Sequence, residues 1–284
     1  MQQLNMKSRL PNFGSNLPAT LKPLPPLVPQ LTDAEIDKRI QERFETLSML
    51  TETALNGATR SLVVSGPPGL GKSYTVEQML ADWGEEGTDY EIIKGFTRAT
   101  GIYKLLYQYR ESNQVLVFDD CDSVFFDDVG LNLLKSALDT TERRIIQWRA
   151  ETKMEDKDGD VMPTSFEFQG SVIFISNLDF DGLIKSGNKL APHLEAIIDR
   201  SFYLDLELHT RRDFYIRIGQ VVGAGMLRKL GITFDQETDI MKFTLDHLDQ
   251  FRVLSLRTVH KMALVAKSNP DWRTVAKSTL LKQR

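Results

Sequence analysis

What this 284-residue chain lacks narrows the reading first. It has one cysteine, Cys121, so no internal disulfide can form and a reducing compartment is expected. No apolar run reaches the roughly 18 residues of a membrane span, so no membrane partner is expected. The N-terminus lacks the apolar core of a signal peptide, which points to the cytoplasm. The four histidines show no metal-ligand spacing, and no internal repeat is visible. A strong charge excess is also missing. The net charge of −4 argues against a general nucleic-acid coat. The charge is uneven, however. From His209 to Arg284 there are 14 Lys+Arg against 7 Asp+Glu, while the rest carries 21 against 32. A basic C-terminal piece suits contact with nucleic acid or with the acidic body of a neighbouring subunit.

What is there is organised around Gly66-Pro67-Pro68-Gly69-Leu70-Gly71-Lys72-Ser73, followed by Tyr74. The apolar run Leu62-Val63-Val64 precedes it and a helical spacing from Ser73 to Trp83 follows. That strand–loop–helix context is what the G-x-x-x-x-G-K-[ST] pattern requires. The glycines let the backbone turn with its amides pointing inward. Those amides and the helix N-terminus form an anion site. Lys72 is expected to reach the β- and γ-phosphates of a nucleoside triphosphate, read as ATP, and to be solvated when no nucleotide is bound. The Ser73 hydroxyl is expected to ligate Mg²⁺. Downstream, Val115-Leu116-Val117-Phe118 is an apolar strand ending in Asp119-Asp120. Asp119 is expected to face the metal, and Asp120 to orient and deprotonate the attacking water.

Along the chain, residues 1–32 are rich in proline and read as an extended arm or a tail. A helix is expected from about Ala34 to Asn56. Strands are expected at Tyr90 to Lys94, Val172 to Ser176 and Phe202 to Leu206. Further helices are expected at Ile102 to Tyr109, Val129 to Leu138 and His193 to Asp199. The alternation of strand and helix over residues 33–208 predicts a parallel sheet covered on both faces. Arg144 to Arg149 and Ser165 to Phe168 read as a hairpin with a long polar tip. Residues 209–284 are helical throughout, at about Arg211 to Leu230, Gln236 to Phe251, Ser255 to Ser268 and Asp271 to Leu281.

The order GPPGLGKS, VLVFDD, ISN, IIDRS and a helical bundle containing SLR resembles the AAA+ ATPases. Among these it is most similar to the small single-ring ATPases of tailed bacteriophages. The resemblance covers about Leu47 to Leu281. DDCD at Asp119 to Asp122 is similar to the acidic box of clamp-loader subunits. The resemblance implies an α/β P-loop fold with a five-stranded sheet of order 5-1-4-3-2 and an α-helical lid. It implies ATP held between the subunits of a ring, a hexamer, in a host cytoplasm if the chain is phage-encoded. It makes Asn177 the sensor beside the attacking water, or else a turn residue. Arg200 becomes an arginine finger acting on a neighbour, or else a surface arginine paired with Asp199. Arg257 becomes a second sensor on a lid helix, or else a solvated charge. Phe96 to Tyr103 sits where the family places a pore loop, so Ile102 and Tyr103 either grip a threaded substrate or pack in the core. The Arg144 to Phe168 hairpin falls where some branches line the pore. The implied activity is ATP hydrolysis coupled to remodelling or loading of a protein or DNA substrate. Asp120 departs from the family's usual glutamate, which keeps open an ATP-operated assembly switch with low turnover.

Overall fold

The structure is a computed structural model. It describes residues 31–149, 154–156, 159–187 and 189–283. The proline-rich arm lies almost wholly outside these residues, as does part of the hairpin tip. Residues 33–284 form one compact unit.

Five parallel strands make the central sheet: β1 (Ser61–Ser65), β2 (Tyr90–Lys94), β3 (Val115–Asp119), β6 (Ser171–Ser176) and β7 (Phe202–Asp205). Two further strands, β4 (Ile145–Gln147) and β5 (Ser165–Glu167), pair only with each other, antiparallel. The sheet order is β7-β1-β6-β3-β2. Counting only its five members in chain order, this is the expected 5-1-4-3-2.

The strands are apolar on both sides because both sides are covered. Val63, Leu116, Phe118, Val172 and Phe174 point to one face. They meet α3 (Ala99–Gln108), α4 (Asp128–Ala137), α5 (Phe180–Lys185) and α6 (Ala191–Asp199). Leu62, Val64, Val115, Val117, Ile173 and Ile175 point to the other. They meet α1 (Asp33–Leu55) and α2 (Lys72–Trp83). A third apolar cluster is built by α7 (Arg211–Gly223), α8 (Phe234–Asp246), α9 (Leu256–Ser268) and α10 (Trp272–Leu280). No helix among the described residues is long and apolar enough to cross a membrane.

Three sequence expectations need correction. The helix expected from Arg211 to Leu230 stops at Gly223. Gly225 then takes φ +98°, which a right-handed helix cannot carry, and a short 3₁₀ turn follows at Arg228–Leu230. The helix expected to begin at Ile102 begins at Ala99, whose amide donates to the Asp127 carboxylate at 3.1 Å. The helix expected from Gln236 to Phe251 runs instead from Phe234, capped by the Thr233 hydroxyl, to Asp246. Besides these, a 3₁₀ turn at Asp122–Phe126 follows β3, and α5 follows β6.

The hairpin stands on the core rather than apart from it. Ile146 and Phe166 are buried, and Phe166 packs edge-on against Tyr103 and Tyr107, with centroids 5.2 Å apart in each case. Arg144 is buried at its base, over the Phe168 ring, and donates to the Ala137 carbonyl at the end of α4.

Candidate functional site: a glycine-rich loop at the strand ends

The carboxyl ends of β1, β3 and β6 converge, as they do in open α/β sheets with a ligand crevice. β1 hands over to the loop of residues 66–71 and thence to α2. Gly66, Gly69 and Gly71 all have positive φ, at 146°, 75° and 96°. Two of them are required. Gly71 is the left-handed residue that starts α2. A Cβ on Gly69 would lie 2.8 Å from the Ser255 Cβ of the lid. The Leu256 amide, at the start of α9, also donates to the Gly69 carbonyl at 2.9 Å. The lid thus rests directly on the loop.

Lys72 is buried, with 5% of its surface exposed. Its Nζ donates to the carbonyls of Gly66 (2.6 Å) and Pro67 (2.9 Å) and to Asn177 Oδ1 (2.9 Å). The expectation of a solvated lysine is therefore wrong. With three acceptors supplied by the loop and β6, the chain folds the ammonium inward. Burial lowers its pKa from 10.5 to about 8, against the raising pull of Asp120, Asp119 and Asp122.

Asn177 follows β6 and bridges two groups. Its Oδ1 accepts from Lys72, and its Nδ2 donates to Asp120 Oδ1 at 2.6 Å. Asp120 has φ +51°, a left-handed conformation that costs a non-glycine residue roughly 1–2 kcal/mol. Its amide still donates to the Ile175 carbonyl, extending the β3–β6 pairing by one bond. The turn brings its carboxylate to Asn177. Strain of this kind gathers at functional sites.

Ser73 Oγ donates to Asp119 Oδ1 at 2.7 Å. Asp119 is buried, and burial raises its pKa, opposed by Ser73 and by Lys94, which lies 3.7 Å away. Among the described residues no group of three or more His, Cys, Asp and Glu could hold a metal unaided. Magnesium asks for less: one or two protein oxygens, with phosphate and water completing six. A hydroxyl and a carboxylate already in contact fit that need. Asp122 is engaged elsewhere, accepting from Ser176 Oγ at 2.6 Å.

The other expected site residues divide. Gly66, Pro67, Pro68, Gly69, Leu70 and Gly71 form the loop, and Tyr74 lies exposed on the first turn of α2. Arg257 is exposed at the start of α9, near enough to Lys72 to lower its pKa. Arg200 is not in this corner. It caps the C-terminus of α6, beside Ser201, whose hydroxyl meets that of Ser61 at the start of β1. It stands at the opposite end of the sheet from the loop. It makes no ion pair with Asp199; Nη1 donates to the Ala196 carbonyl, and Nε has no partner among the described residues. Ile102 and Tyr103 are fully buried in α3, and Tyr103 donates to the Pro163 carbonyl at 2.8 Å. The gripping role considered for them is thereby excluded. In the same segment Phe96 is 69% exposed, with Arg98 5.8 Å from its ring.

Sequence reasoning missed Arg217. On α7, it lies across the loop, its Nε donating to the Leu70 carbonyl at 3.2 Å. It sits between apolar neighbours in an ordinary amphipathic helix, and nothing in the sequence marks it.

No established family profile matches the chain. Among solved structures it resembles NtrX from Brucella abortus in complex with ADP (TM-score 0.48, 12% identity), over 82% of this chain and 52% of that one. It also resembles the Aeropyrum pernix ORC2 protein (TM-score 0.46, 12% identity), over 90% and 70%. A third likeness is to RuvB of Thermotoga maritima (TM-score 0.40, 14% identity), over 88% and 70%. The chain spans about half the length of NtrX. A curated relative is the uncharacterized 36.7 kDa protein in the nrdC–mobD intergenic region of enterobacteria phage T4. It is 35% identical over 245 residues, which are 85% of this chain and 74% of that protein. With that identity over that share of both chains, the protein belongs to the same family as this phage T4 protein.

Proposed function

We propose that the protein is a ring-forming AAA+ ATPase, hydrolysing ATP at subunit interfaces to remodel or load a macromolecular substrate. The observation that carries the reading is the hydrogen-bonded chain Lys72–Asn177–Asp120 across the mouth of the phosphate loop. It joins the three groups that phosphoryl transfer to water needs: a cation for the phosphates, an amide to hold the water and a carboxylate to take its proton.

In this mechanism the inward amides of residues 66–73 and the α2 N-terminus receive the phosphates. Lys72 exchanges its loop carbonyls and Asn177 Oδ1 for phosphate oxygens, which frees that amide oxygen to hold the attacking water. Asp120 accepts the proton from that water. Ser73 and Asp119 would hold Mg²⁺, which when bound neutralises charge building on the phosphate oxygens. Arg257 approaches the loop from the lid. Arg200, at the far end of the sheet, serves the site of an adjacent subunit. Phe96, rather than Tyr103, is the side chain offered to a passing substrate.

A second reading is favoured by one observation. Asp120 is a short carboxylate already held by Asn177, which suits an assembly switch with slow turnover. Multiple-turnover phosphate release at rising protein concentration separates the two. The motor reading expects specific activity to climb with concentration. It also expects inert Arg200→Ala and Lys72→Ala proteins to regain activity when mixed, since a finger contributes on the order of 10³–10⁵ in rate. Full activity in a strictly monomeric Arg200→Ala preparation would overturn the ring. Single-turnover hydrolysis alone would favour the switch.

A further inference from the structure

Among the described residues Arg217 has no carboxylate within ion-pair distance. Its guanidinium lies 3.3 Å from the centroid of the Phe44 ring of α1. Nε donates to the Leu70 carbonyl at 3.2 Å, and Nη1 donates to Gln220 Oε1 at 3.1 Å. Gln220 in turn donates to the Asp37 carbonyl and carboxylate of α1. The second terminal nitrogen, Nη2, would be 3.6 Å from a Cβ placed on Gly71 and donates to no protein atom among the described residues. No carboxylate pairs with Arg217 within ion-pair distance there, although Arg39 and Arg43, on the same α1 surface, each have one in Asp213 and Glu207. Burial lowers its pKa from 12.5 to about 10, with no acidic neighbour to raise it.

A charge taken out of water without a partner is costly, and the cost persists only where something offsets it. Stacking on Phe44 offsets part of it. The remainder has a complement on the proposed reading, because Nη2 adjoins Gly71 of the loop read there as the phosphate site. Planar guanidinium groups suit phosphate oxygens geometrically as well as in charge.

We propose that Arg217 is a binding residue for the phosphate chain of the nucleotide, reaching the loop from the lid helix α7. This rests on the reading of residues 66–73 as a nucleotide site, and it adds a coupling: through Phe44 and Gln220, the same guanidinium links an occupied loop to α1 and α7 together.

The test measures ATP and ADP affinity by calorimetry, and urea stability without nucleotide, in Arg217→Gln and Arg217→Lys. One charge-assisted contact corresponds to about tenfold or more in affinity. Arg217→Gln is expected to weaken both nucleotides by at least that factor, with unliganded stability equal to or above wild type. Arg217→Lys, which keeps the charge, is expected to recover part of the loss. Unchanged nucleotide affinity in Arg217→Gln overturns the inference. So does an equal loss in both variants accompanied by lower unliganded stability, which would make Arg217 a structural brace. A wild-type protein that binds neither nucleotide overturns the site reading itself, and is recognised by that control before any variant is compared.

Discussion

The two ends of the central sheet are built differently. At the carboxyl end the five side chains read as the reacting set are partnered inside the chain: Lys72 has three acceptors, Asn177 joins it to Asp120, and Ser73 meets Asp119. At the amino end Arg200 is held by one carbonyl and leaves its Nε unmatched among the described residues. That reacting set is held as folded. On the proposed reading the amino end is finished only by another copy. The difference separates residues whose loss is felt within one chain from those whose loss is felt between chains.

The largest effect should come from the carboxyl end. Lys72→Ala removes the one ammonium aimed into the loop, and ATP affinity should fall at least a hundredfold, measured by calorimetry, as expected for a lost phosphate contact inside a partly buried site. Micromolar ATP affinity in that variant would break the site assignment. Next in size is Asp120→Asn. An amide cannot accept the water's proton, so turnover should fall about 10²–10⁴-fold while ATP binding persists. Wild-type phosphate release from this variant would transfer the base role away from Asp120.

A smaller effect follows from the pKa of Lys72, near 8 in the fold against an ordinary 10.5. Between those values the unfolded chain binds the extra proton, so unliganded stability should rise with pH across that window. This lysine adds at most about 1.4 kcal/mol per pH unit. Urea denaturation from pH 7 to 10 should show that rise in wild type and its loss in Lys72→Met. The smallest effect belongs to the amino end. Arg200→Ala should change unliganded stability by no more than about 0.5–1.5 kcal/mol, the worth of one hydrogen bond. A loss of several kcal/mol in thermal unfolding would make Arg200 an internal strut and erase the contrast between the two ends.

Much of this was legible in residue order because it is locally encoded. The loop glycines and the apolar strands that end at Asp119 and just before Asn177 follow from spacing within a dozen residues, and the hairpin from two alternating segments about 20 positions apart. What could not be read depends on contacts across long separations. The inward turn of Lys72 needs the Asn177 amide, 105 residues away. Arg217 meets Leu70 across 147 positions. Tyr103 looked free to grip because the groups that bury it, Phe166 and the Pro163 carbonyl, lie in the hairpin beyond β4. Helical periodicity could not show the stop at Gly223 either, since an apolar stripe continues past it.

The contact between Gly69 and the start of α9 has a mechanical consequence. One backbone bond and a fit too tight for a methyl group make the loop and the C-terminal helices mesh like teeth. Any swing of α9 must drag the Gly69 carbonyl with it or expose that carbonyl to water. On the proposed reading, filling the loop acts on a lever whose long arm is the whole of residues 255–283. A chain cut before Ser255 would lose the lever and keep the fulcrum.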